Sequence, residues 1–102
     1  MSLAESRGGW PHIFRESITT TGRKHQFPFI CKHLTMRAVT YPCRVYFTEA
    51  DFTANVNYIL VPVAAAETPH GQWSGPVEAH TVWLKGLGGT AVLELVAFQR
   101  RA

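Results

Sequence analysis

Charge is scarce in this chain: Asp, Glu, Lys and Arg make up 17% of its 102 residues, against about 25% in an average soluble domain. Disorder throughout would need low hydrophobicity together with high net charge. A hydrophobic share of 46% and a net charge of +3 exclude it. Long apolar runs are also missing. The longest, residues 58–66, is interrupted by Pro62 and falls well short of the about 20 residues that a membrane-spanning helix requires. The opening MSLAESRGGW has no basic start followed by an apolar stretch, the pattern of a secretory signal. The expectation is a soluble protein of the cytoplasm. Cysteine is limited to Cys31 and Cys43, too few for the disulfide framework of a small secreted domain. Buried free thiols are expected instead. The length supports one domain of about 100 residues.

Recognisable catalytic motifs are lacking as well. The chain holds no Gly-x-Ser-x-Gly elbow, no His-Glu-x-x-His and no Cys-x-x-Cys, so the common nucleophile and zinc signatures are absent. Cys31, His33 and Cys43, with His25, have ligand chemistry, but their spacing does not match the turn-borne pairs of structural zinc sites. No metal and no cofactor is expected. The glycines of Gly86-Leu87-Gly88-Gly89 are followed by an apolar strand pattern and by no Lys-Ser or Lys-Thr. They read as a β-hairpin turn rather than as a phosphate loop.

What is present is a positive excess confined to one end. Arg7, Arg15, Arg23, Lys24 and Lys32 face only Glu5 and Glu16 in residues 1–35, while cations and acids balance in the remainder. This divides the chain into a basic segment, 1–35, packed on or extending from a β-rich core, 36–102, within one structural domain. Trp10 to Ile18 predicts a short helix, with Pro11 at its first position and Ile13, Phe14 and Ile18 as its apolar face. Phe27, Phe29 and Cys31 alternate with Gln26, Pro28 and Ile30, an edge strand because Pro28 cannot donate to a ladder.

Val39, Tyr41, Cys43, Val45 and Phe47 share one face of a period-two pattern. Thr48 followed by Glu49 and Asp51 opens a helix to about Asn55. The β-branched 56–63 reads as a buried strand, and 64–76, broken by Pro69, Gly71, Gly75 and Pro76, as a loop. Residues 77–85 and 90–99 are then the two arms of the hairpin. The fold class expected is α+β, dominated by a mostly antiparallel sheet with one or two short helices.

Three functional readings follow, each with its residues. The leading one is a non-enzymatic binding module that assembles as a homo-oligomer, a dimer first of all, and recognises a protein or small apolar ligand through its sheet. It rests on strands such as TAVLELVAF, which carry apolar residues on both faces, because so short a chain cannot readily cover both sides of a sheet. Trp73, Trp83 and Tyr58 are its candidate ligand-binding residues, aromatics being enriched at recognition surfaces. The alternative is an enzyme. Glu78 and His80 project from one face of a strand, and His70 in the preceding loop completes a candidate acid–base set. The third reading is nucleic-acid binding through Arg23, Lys24 and Lys32; aromatics interleaved with Arg37 and Arg44 would stack on single-stranded bases.

Overall fold

A computed structural model describes residues 11–63 and 72–99. Six strands, β1 (Pro11–Ile18), β2 (Arg23–Val39), β3 (Cys43–Tyr46), β4 (Ile59–Val61), β5 (Trp73–Gly86) and β6 (Ala91–Phe98), form one sheet of order β1-β6-β2-β5-β3-β4. Every neighbouring pair is antiparallel. One short helix, α1 (Glu49–Ala54), accompanies them. The antiparallel sheet is thus as expected, and α+β holds only loosely. Among the described residues no helix is long and apolar enough to cross a membrane.

The two long strands bend the sheet into two layers. In the β2–β5 ladder, Gln26 pairs with Thr81 and Cys31 with Ala79, so Phe27, Pro28, Phe29 and Ile30 stand opposite His80 alone. A bulge of this kind kinks the strand and increases its twist, and Pro28 sits where no ladder hydrogen bond is required of it. Beyond the bend, β2 pairs with β6, which pairs with β1. Before it, β2 and the end of β5 continue into β3 and β4. A parallel bridge from Ala38 of β2 to Val63 after β4 joins the layers on one side. The smallest extent of the molecule, 20 Å between Cα atoms, suits two sheets packed about 10 Å apart.

The core lies between the layers. Leu34, Met36 and Ala38 of β2, Ala91, Leu93, Leu95 and Ala97 of β6, and Val82 and Leu84 of β5 are fully or almost fully buried. Cys43 and Val45 of β3 meet them from the second layer. Each Leu or Val so enclosed contributes roughly 1.5–3 kcal/mol.

Several expectations are corrected. Residues 11–18 are a strand, not a helix. Phe14 and Ile18, four apart, fit either period, but His12, Phe14, Glu16 and Ile18 turn inward together while Ile13 is 73% exposed. The described part of the basic segment, residues 11–35, lies within the sheet, and β2 runs unbroken across residue 35. β2 is an interior strand rather than an edge. The predicted loop ends early, since Trp73 to Pro76 already belong to β5; 64–71 lie outside the described residues. The strand expected over 39–47 is interrupted at Thr40, whose φ is 76°, and resumes only as Cys43–Tyr46. The buried strand expected over 56–63 shortens to β4, with Leu60 half exposed. α1 matches its prediction, with Thr48 Oγ1 accepting from the Asp51 amide at 3.1 Å and the left-handed Asn55 ending it.

The largest correction concerns the hairpin. β5 and β6 do not pair; β2 lies between them. The Gly-rich link instead crosses from one layer to the other. Its passage is fixed by the Gly86 amide donating to the Thr19 carbonyl at 3.0 Å and the Leu87 amide to the Pro42 carbonyl at 3.0 Å. A side chain at Gly86 would place Cβ 2.8 Å from the Ile18 carbonyl oxygen and 2.9 Å from that of Gly89. Glycine is required here by backbone crowding, not by a turn's positive φ.

Candidate functional site

Residues of β1, β6 and β2 that point away from the core form a continuous outer face. The ladders align them in rows: Pro11, Phe98 and His33; Ile13, Val96 and Thr35; Arg15, Glu94 and Arg37; Ser17, Val92 and Val39. β5 extends the first two rows with Pro76 and Ser74. Because strand side chains alternate, this face is the direct counterpart of the buried set Leu93, Leu95 and Ala97. Val92, Val96 and Phe98 are half-buried by their row neighbours, and Ile13 protrudes.

The charged row holds itself together. Glu94 Oε2 accepts from Arg15 Nη1 at 2.5 Å, and Oε1 accepts from Arg37 Nε and Nη2 at 3.1 and 2.8 Å. Exposed pairs of this kind stabilise by about 0.2–1 kcal/mol each. Two guanidiniums against one carboxylate leave a single net positive charge at the centre of the face, with rows containing apolar residues on both sides of it. At the β5 border, Ser74 Oγ lies 2.9 Å from Thr35 Oγ1 and 3.2 Å from His33 Nε2.

A second arrangement sits at the seam between β1 and β2, where no ladder forms. His25 is 7% exposed, and its Nδ1 lies 2.6 Å from Glu16 Oε2, while Arg23 approaches Oε1 at 3.2 Å. The imidazole packs edge-on against Phe14 and Phe27, each 4.9 Å away between ring centres. Nε2 is buried without a hydrogen-bond partner. A carboxylate orienting an imidazole is the support found behind general bases, but no hydroxyl or thiol side chain is hydrogen-bonded to this ring among the described residues. Here the pair ties the inner sides of β1 and β2 together. Sequence reasoning missed it because Glu16 and His25 become partners only once 11–18 is a strand turning back at Gly22.

The residues singled out from the sequence fall as follows. Glu78 and His80 are both exposed on β5. The Glu78 carboxylate engages Lys32 Nζ at 3.1 Å, and no hydrogen bond joins it to His80, which stands at the bulge. His70 lies outside the described residues. Trp73 packs half-buried against the core opposite Met36. Trp83 sits in a different row, between Lys24 and Tyr46. Tyr58 is partly exposed under the Arg44 guanidinium, 4.4 Å from its ring centre. The three aromatics therefore do not share one pocket. Of the basic trio, Arg23 pairs with Glu16, Lys32 with Glu78, and Lys24 is exposed and pairs with no acid among the described residues.

Cys31 and Cys43 are buried free thiols. Burial raises both above the usual thiol range, Cys43 to about 11, while hydrogen bonding to the Phe98 and His33 backbone partly offsets the rise for Cys31. Among the described residues no three His, Cys, Asp or Glu side chains are grouped to hold a metal ion. No protein-family model matches the chain, and no curated protein matches its sequence.

Proposed function

We propose that the protein is a non-enzymatic binding module, acting in the cytoplasm, whose working surface is the outer face of β1, β6 and β2, and that a second copy of the chain is its first partner there. The observation that carries this reading is Ile13, 73% exposed in register with Val96, beside the half-buried Val92, Phe98 and Val39. An apolar side chain at the middle of an edge strand gains nothing from water. Association would remove it together with its row.

Geometry bounds the strength of the contact. Three strands about 4.8 Å apart and eight residues long at about 3.3 Å each frame a patch of roughly 400 Å2. Two copies would bury roughly 800 Å2, below the about 1,200 Å2 at which stable specific interfaces begin and in the range of weak, transient ones. The proposed association is weak and reversible, not that of an obligate dimer. The apolar part of this face is smaller than the whole patch, because the Arg15–Glu94–Arg37 row crosses it. Two buried free thiols support a reducing compartment.

The test is sedimentation across a concentration series with Ile13→Lys as the comparison. The reading expects concentration-dependent dimerisation of the native chain and a monomer for the variant. Ile13 contributes little to the core, so folding should be retained. Identical masses for the two proteins would overturn it.

A further inference from the structure

The ion pairs divide the cations of this chain unevenly. Among the described residues, Arg15 and Arg37 engage Glu94, Arg23 engages Glu16 and Lys32 engages Glu78. Lys24, Arg44 and Lys85 engage no carboxylate, and all three stand on the outer side of the second layer. Their inner neighbours His25, Val45 and Leu84 are buried, so strand alternation turns these three outward. The rows are Lys24, Trp83 and Tyr46, then Lys85 beside Arg44.

Two cations directly opposite one another in a ladder repel. Here aromatic faces hold them instead of acids. The Arg44 guanidinium lies 4.4 Å from the Tyr58 ring centre, and the Lys85 ammonium lies 5.2 Å from that of Phe52 and 5.9 Å from that of Tyr46. Asn55 Oδ1 accepts from Arg44 Nη1 at 2.9 Å and also from the Tyr46 hydroxyl, anchoring α1 over the strand. Arg44 Nε is buried with no partner. The acids of α1, Glu49 and Asp51, are in its first turn; Asp51 accepts from Asn57, and neither pairs with these cations. Trp83, half-buried, lies between Lys24 and the Lys85–Arg44 pair.

We propose that this face binds single-stranded nucleic acid, with phosphates meeting Lys24, Lys85 and Arg44 and a base stacking on Trp83. The charge asks for an anion. Trp83 among the cations selects a polyanion that carries flat rings, since ring stacking on Trp is open to every base. This differs from an arm of Arg23, Lys24 and Lys32, of which two are already paired with acids, and it uses other residues than the face assigned to self-association.

The experiment is fluorescence anisotropy of a labelled oligothymidylate of about 20 nucleotides, titrated with the full chain over a salt series, with heparin as the rival polyanion. Three phosphate contacts predict a slope of log affinity against log salt near −2, at about −0.7 per contact on single strands. Lys24→Gln with Lys85→Gln should bring the slope to about −0.7. Trp83→Leu should weaken oligonucleotide binding about fivefold or more while leaving heparin binding unchanged. Lys32→Gln should leave both unchanged. Lys24 is exposed, so Lys24→Gln alone tests the face even if the double variant folds poorly; a slope shallower by about 0.7 is expected. The proposal is overturned by undetectable binding at low salt, by equal losses for Lys32→Gln and Lys24→Gln, or by Trp83→Leu affecting heparin and oligonucleotide alike.

Discussion

Gly86 and Gly89 belong to one short Gly-rich link, yet alanine at the two positions should have very different consequences. At Gly86 the new Cβ would lie 2.8 Å from the Ile18 carbonyl oxygen and 2.9 Å from that of Gly89. Both obstacles are backbone, so no rotamer change relieves them. Overpacking of this kind costs about 1–3 kcal/mol. Moving the strand end would also strain the Gly86–Thr19 hydrogen bond of 3.0 Å, worth about 1 kcal/mol. The expected loss is about 2–4 kcal/mol, a large part of the roughly 5–15 kcal/mol that stabilises a domain of this size. In melting temperature that is at least about 8 °C, at about 4–8 °C per kcal/mol. At Gly89 the Cβ would meet Cε2 and Cζ of Tyr41 at 2.7 and 2.8 Å, but this ring is exposed and free to swing, so the loss should stay below about 1 kcal/mol. Urea denaturation of both variants measures the difference. Equal and small effects would refute the layer-crossing path of the link, because an ordinary hairpin turn would leave Gly86 uncrowded.

Leu95→Ala should lose about 2–5 kcal/mol in the same assay, since Leu95 is fully buried between Phe14 and Met36 on the interior strand β6; a loss below about 1 kcal/mol would contradict its place in the core. The cysteines give a pH dependence. Folding raises the Cys43 thiol from about 9 to about 11, so the folded state disfavours its ionisation. The stability associated with it should be complete below pH 9 and be lost as pH rises toward 11. In Cys43→Ala that alkaline loss should shrink, and native Cys31 and Cys43 should resist alkylation until the chain unfolds. Rapid labelling of the folded protein at pH 8 would contradict their burial.

How much of this was legible in the sequence depended on whether a signal was local. The cap at Thr48 and the acids after it announce α1, because helix initiation is decided within one turn. Phe27 with Cys31, and Cys43 with Val45, show their buried faces by alternation alone. What failed was every inference that needed a partner strand. Phe14 and Ile18 cannot distinguish a helix from a strand until β6 lies beside them. The glycines before Thr90 fit a two-strand turn as well as a passage between layers, and only the insertion of β2 decides it. For the site, the apolar duplication of β6 pointed to an outer face that asks for cover. The Glu94 row and the Lys24–Trp83–Tyr46 row join residues far apart in the chain, and no spacing rule reveals such rows.

The proposed meeting of the outer face of β1, β6 and β2 with a second copy of the chain is open to a direct measurement. Light scattering coupled to size separation, run from low to high micromolar concentration, measures it most directly. The native protein should rise from 11.4 kDa toward twice that mass, and Ile13→Lys should hold at the monomer value throughout. A native chain that stays at 11.4 kDa across the whole range would contradict the claim.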